Sequence, residues 1–155
     1  CTIKQKKQFM SELKLHIKLF SDLAHAPKKS EPKATGYDLR CMLAFSVPAF
    51  SAVKIPLGFA MEIVGNGILI DAQIRPRSSV SAKGINIPTG TIEMDYRGEL
   101  IVCLQNITPK VIDFQQGEKI AQLVFGIYAN PDVQIKTELS ETERGAGGFG
   151  STGIF

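Results

Sequence analysis

The string Arg75-Pro76-Arg77-Ser78-Ser79 sets guanidinium forks beside hydroxyls and amides, a donor set suited to the several acceptor oxygens of a phosphate. Read plainly, the same string is a solvated turn. A second cluster, Glu93, Asp95, Tyr96 and Arg97, holds two carboxylates at i, i+2. On a strand these share one face while Met94 takes the other. Aimed into one pocket, they could share a proton, bind a hydrated cation or activate water. The plain alternative is a surface strand with Asp95 paired to Arg97. The third candidate is Arg144 followed by Gly-Ala-Gly-Gly-Phe-Gly-Ser-Thr-Gly. Glycines let backbone amides approach phosphate oxygens, Ser151 and Thr152 add hydroxyls, and Phe149 offers a face for stacking on a ring. This tail lacks the Lys-Ser or Lys-Thr ending of a Walker loop, and its plain reading is a frayed terminus.

Other chemistries find little support. His16 and His25 are far in sequence from Ser78 and Cys103, so no nucleophilic triad is legible, and His16 alternates onto the polar face of its segment. Two histidines with Cys1, Cys41 and Cys103 give neither zinc spacing nor a disulfide framework. A carboxylate-assisted magnesium site stays open, because a nucleotide can itself supply most ligands.

These residues need elements to hold them, and the elements read as short strands. Leu13–Phe20 alternates Leu13, Leu15, Ile17 and Leu19 with Lys14, His16 and Lys18, the period of a half-buried strand. Further strands are predicted at Tyr37–Leu39, Ala44–Val47, Val53–Ile55, Gly58–Val64, Ile68–Arg75, Ile85–Ile87, Thr91–Met94 and Glu99–Gln105. Val111–Phe114, Ala121–Tyr128 and Val133–Lys136 complete the set, and Asn66-Gly67 marks a tight hairpin turn. Only Ser21–Ala26 and Gln116–Lys119 look capable of a helical turn. Many short strands argue an all-β barrel or sandwich and against a doubly wound α/β fold.

A chain of 155 residues with 44% hydrophobic residues suffices for one compact domain with its own core. Its apolar runs fall short of a membrane span and no secretory leader is visible, so a reducing compartment, cytoplasm or nucleus, is expected. The formal charge is +3, yet residues 1–33 carry eight lysines against Glu12, Asp22 and Glu31, leaving the remainder at −2. This head lacks aromatic platforms for bases and reads as a solubilising segment rather than a specific nucleic-acid binder.

In order along about 120 residues, five strings together resemble the trimeric dUTP diphosphatases, the dUTPases. They are Ala34–Leu39, Arg75–Val80, Gly90–Glu99, Gly117–Val124 and Arg144–Gly153. The resemblance implies a jelly-roll-like β-barrel over residues 13–143, a basic extension over 1–12 and a flexible glycine-rich active-site arm over 144–155. It further implies a homotrimer with sites built at subunit boundaries, and cleavage of dUTP between the α and β phosphates to dUMP and diphosphate. Such an activity limits uracil incorporation into DNA and supplies dUMP.

By the same resemblance, Glu93 stands where an aspartate activates the attacking water, one methylene longer than the usual acid. Asp38 stands where an aspartate organises the waters of a Mg²⁺ held mainly by the triphosphate. Arg77, Ser78 and Gln122 match phosphate-contacting or site-shaping positions. Ser79 replaces the usual glycine, and Lys119 takes a place often held by arginine. Tyr96 would pack beneath deoxyribose, main-chain groups of Ile87, Pro88 and Thr89 would read uracil, Phe149 would stack on it, and Arg144, Gly150, Ser151 and Thr152 would clamp phosphates. Two alternatives remain beside this: a dUTP-binding regulatory or structural module without turnover, and a dCTP deaminase, whose catalytic glutamate is replaced here by Cys103.

Overall fold

The structure is a computed structural model and describes residues 13–65 and 69–147. Among the described residues eleven strands carry it: β1 (Lys14–Leu19), β2 (Tyr37–Arg40), β3 (Phe45–Val47), β4 (Ala52–Pro56), β5 (Phe59–Val64) and β6 (Ile70–Arg75), then β7 (Ile85–Asn86), β8 (Gly90–Ile92), β9 (Ile101–Asn106), β10 (Ile112–Phe114) and β11 (Lys119–Ile127). A single helical turn, α1 (Ser78–Ser81), follows β6. The period-two segments became strands because one face of each finds apolar cover. In β1, for example, Leu15 and Ile17 are half-buried while Lys14, His16 and Lys18 are exposed.

The all-β expectation holds, but the closed barrel does not. Among the described residues the strands form four open sheets, β1-β5, β10-β3, β2-β11-β6-β8 and β4-β9-β7, and none returns to its own first strand. Proline supplies the physical reason. It has no amide to donate to a ladder, and Pro48, Pro56, Pro76 and Pro88 stand at or just beyond strand ends, where the chain leaves one sheet for another. The facing sheets bury Leu39, Val47, Leu57, Phe59, Leu100, Leu104, Phe114 and Leu123 between them. Asn106, also buried, donates from Nδ2 to the carbonyls of Val47, Pro48 and Lys110 at 2.7–3.0 Å, tying β9 to the end of β3.

Four local expectations also change. The segment predicted as a strand over Thr91–Met94 ends at Ile92, and the chain turns with the Tyr96 amide donating to the Glu93 carbonyl at 3.1 Å. No strand forms over Val133–Lys136, where Val133 and Ile135 are almost fully exposed. Ser21–Ala26 and Gln116–Lys119 contain simple turns, whereas α1 arises in the string read as a phosphate loop. The Asn66-Gly67 turn lies outside the described residues, and its flanking strands, β5 and β6, belong to different sheets.

Candidate active site

Four of the five strings contribute to the sheet β2-β11-β6-β8, and three of them meet at β11. Strand β11 pairs with β2 on one side and β6 on the other, so Gln122 lies opposite both Asp38 and Arg75. The Gln122 amide donates to the Pro76 carbonyl at 2.9 Å, fixing the exit of β6. Gly36 makes this possible: a Cβ there would stand 3.0 Å from the Gln122 Cδ and overlap its carbonyl oxygen.

Beside this junction Asp38 is largely buried and ion-paired twice, to Arg77 Nε at 3.1 Å through Oδ1 and to Lys119 Nζ at 2.7 Å through Oδ2. Ser30 donates its hydroxyl to the same Oδ2 and accepts from Lys119 Nζ at 2.5 Å. Burial pushes the Asp38 carboxyl up. The Lys119 and Ser30 hydrogen bonds and the two positive charges outweigh it and hold the group below the usual carboxylate range. Ser78 and Ser79 are exposed at the start of α1, one and two residues beyond Arg77. The turn that leads into β11 is secured by Glu118, whose carboxylate accepts from the Gln115 amide at 2.9 Å and from Lys83 at 2.7 Å. The result is a preformed cationic ledge, Arg77 and Lys119, held apart by a carboxylate.

The third string builds a different place. Ile74, Ile87, Pro88, Thr89, Tyr96 and Leu100 are among the walls of a cavity of about 750 Å³, with Glu93, Asp95, Glu99 and Cys103 also on its lining. The size and apolar walls suit a nucleoside. The Tyr96 hydroxyl donates to the Glu99 carbonyl at 3.0 Å, and its ring lies so close over Gly98 that a Cβ there would overlap it. The Glu99 carboxylate accepts from the Gly58 amide at 2.8 Å, in a turn where Gly58 has φ +72°. Arg97 does not pair with Asp95. It donates to the Met94 and Tyr96 carbonyls and to Glu62 Oε1 at 3.1 Å, and Glu93 and Asp95 stay on the cavity lining without it.

Ile87, Pro88, Thr89, Tyr96 and Glu93 are thus brought together around the cavity, and Asp38, Arg77 and Gln122 around the ledge. None of the ledge residues lines the cavity. Arg144 joins neither group: its Nε donates to the Gly147 carbonyl at 2.9 Å within an exposed turn. Phe149, Gly150, Ser151 and Thr152 lie outside the described residues. Two residues that motif reading passed over also act here. Ser30 sits in a lysine-rich loop with no motif to mark it, and Glu99, at the end of the third string, clamps Gly58.

A magnesium ion finds no direct cage: among the described residues, no three His, Cys, Asp or Glu are grouped to hold one. Asp38 Oδ1 has a single partner and so retains accepting capacity for a metal-bound water. The chain therefore fits an ion carried by phosphates and touched through water.

An all-β frame that presents a cationic ledge and a separate apolar cavity with carboxylates defines a nucleotide-phosphate-handling protein. The dUTPase family model matches residues 22–153, and the chain belongs to the dUTPase family. It is 38% identical over 141 residues to the deoxyuridine 5'-triphosphate nucleotidohydrolase of Paramecium bursaria Chlorella virus 1, covering 90% of this chain and 98% of that one. It is 37% identical to the Candida albicans protein of the same name, covering 97% and 93%. The solved Staphylococcus bacteriophage 80alpha dUTPase with dUPNHPP aligns with a TM-score of 0.82 at 25% identity, covering 91% of this chain and 99% of that one.

Proposed function

We propose that this chain hydrolyses dUTP to dUMP and diphosphate. The observation that carries the reading is near-full-length likeness to dUTP nucleotidohydrolases joined to a cavity whose lining holds Ile87–Thr89, Tyr96 and Glu93 together. In this reading Glu93 accepts the proton of a water that attacks the α-phosphorus, a role that requires its carboxylate within about 2.6–3.2 Å of that water. Tyr96, held by Glu99 and Gly98, closes the floor where a 2′-hydroxyl would go. The Ile87–Thr89 backbone reads the uracil edge, and a cytosine amino group in that place leaves a buried pair mismatched. Arg77, Ser78 and Gln122 hold phosphate oxygens, and Asp38 keeps Arg77 and Lys119 positioned until the substrate arrives. Magnesium, when bound with the nucleotide, neutralises triphosphate charge and polarises the scissile group.

Glu93 and the ledge stand at opposite ends of β6 within one chain. The β6–β8 register sets Ala72 opposite Ile92 and Ile74 opposite Gly90. Glu93 thus leaves beyond the Asp71 end of β6, while Arg77 follows the Arg75 end. Those ends are separated by four residue steps, about 13 Å. This separation supports a homotrimer in which one copy's ledge faces another's cavity and residues 144–155 of a further copy close over both. Three chains of 16.9 kDa give about 51 kDa, and a monomer by light scattering overturns the shared-site arrangement. The experiment for the activity is diphosphate release from dUTP beside dCTP, dTTP and UTP. Release from dUTP alone is expected, falling in chelator without unfolding. Tight dUTP binding without release would overturn hydrolysis and leave a binding module.

A further inference from the structure

Lys119 stands at a fault in its strand. The register of β11 against β2 shifts between Lys119 and Ala121, and Ile120 and Ala121 are both fully buried, so the alternation of faces breaks there. In a regular strand Lys119 would share the buried face of Ala121. The shift instead sets it on the side of Asp38 and Gln122, at the ledge, the kind of re-aiming that a bulge provides. An ammonium has three N–H donors. Here Nζ gives one to Asp38 Oδ2 at 2.7 Å and one to Ser30 Oγ at 2.5 Å. Ser30 in turn donates to Asp38 Oδ2, which closes a triangle of three polar groups.

The loop that carries Ser30 is built to hold still. Pro27 and Pro32 bracket it and fix φ at two points. The Asp38 amide donates to the Lys28 carbonyl at 2.8 Å and the Ala34 amide to the Glu31 carbonyl at 3.0 Å, while Lys29 Nζ lies 4.9 Å from the centre of the Tyr37 ring. Ser30 is thus anchored on both sides by contacts with the first string. We propose that Ser30 is a positioning residue for the reaction: with Asp38 it fixes the Lys119 ammonium so that the third N–H is held for a phosphate oxygen of the nucleotide. An arginine presents a rigid planar fork by itself, whereas a lysine is a point charge on a flexible stem and takes its direction from outside partners. Asp38 alone would let Nζ swing about one contact; Ser30 removes that freedom. The assignment to phosphate rests on the proposed reading of the ledge; the coupling of Ser30 to Lys119 does not.

The test is a double-mutant cycle on the full chain, read by calorimetric binding of inorganic diphosphate and by steady-state dUTP kinetics. Ser30→Ala is expected to weaken diphosphate binding and raise KM for dUTP by about tenfold, the scale of one charge-assisted hydrogen bond, with most of the effect in KM rather than kcat. Ser30→Thr, which keeps the hydroxyl, should retain most of the native affinity. In a Lys119→Arg background Ser30→Ala should cost no more than about twofold, because the fork needs no third partner. Equal losses in the two backgrounds, or a lowered melting temperature with diphosphate affinity and KM unchanged, overturn the positioning role. Diphosphate affinity carries the cycle even where dUTP is not hydrolysed, so failure of the reaction and failure of this inference give different results.

Discussion

The ledge and the cavity solve opposite problems with similar residue types. At the ledge every charge is answered: Asp38 meets Arg77, Lys119 and Ser30, and Glu118 meets Lys83 and a backbone amide. At the cavity Glu93 and Asp95 are on the lining with no ion pair among the described residues, and Arg97, the nearest cation in sequence, is drawn off to Glu62. A paired carboxylate is a positioning device with little reason to move a proton. An unpaired one beside an apolar wall is available for chemistry. In the proposed function this contrast gives Asp38 a positioning role and Glu93 the reacting one, although both are acids on matched strings.

The largest effect expected from breaking this contrast is at Glu93. Glu93→Gln keeps the shape and removes the proton acceptor, so diphosphate release from dUTP should fall by about 10²–10⁴-fold. Binding of dUPNHPP by calorimetry should stay within a few-fold. Equal loss of binding would mean the carboxylate organises the cavity rather than the water. Next is Gly98→Ala, whose added methyl overlaps the Tyr96 ring. A roughly tenfold rise in KM for dUTP and reduced discrimination against UTP are expected from the comparison of kcat/KM values.

Asp38→Asn should act on stability before chemistry, by about 1–3 kcal/mol, because it leaves Arg77 and Lys119 partly buried without their partner. Its pH dependence sharpens the point. The native carboxyl lies below its ordinary value of 3.8, so its contribution is complete above about pH 4 and is lost as pH falls through the native value. The difference in melting temperature between native chain and variant should be constant from pH 5 to 8 and shrink below pH 4. A gap that widens in acid would show that the pairing is not what the residue contributes. The smallest effect is expected of Lys119→Arg, which restores a fork at the ledge and should change KM for dUTP by no more than a few-fold in steady-state assays.

What could be read in advance depended on whether the cause was local. Alternation in Leu13–Phe20 and the apolar runs of β5, β9 and β11 follow from side-chain period, and their strands formed within a residue or two. The strings that marked the ledge and the cavity were legible as candidate chemistry; Asp38, Arg77 and Gln122 come together at the one and Ile87–Thr89, Glu93 and Tyr96 line the other, whereas Arg144 joins neither. Sheet closure was not legible, since it depends on where each edge finds a partner, and prolines between strands redirect those edges. Nor was the strand end at Ile92, set by the turn from Glu93 to Tyr96, nor α1, whose four residues are nucleated by the Arg77 carbonyl accepting from Val80 and Ser81. Ser30 was invisible because nothing near it in sequence announces a partner 89 residues away.

That separation has a bearing on how the chain acquires its ledge. Lys119 reaches Ser30 across 89 residues, and Arg40 reaches the Gly117 carbonyl across 77. Both depend on β11 docking between β2 and β6, contacts that a growing polypeptide cannot make until β11 itself has emerged. Non-local pairing of this kind slows folding towards milliseconds or seconds. During that interval a nascent chain carries exposed strand edges and no assembled ledge, so recovery of phosphate affinity after denaturant dilution should track the insertion of β11, not the first collapse.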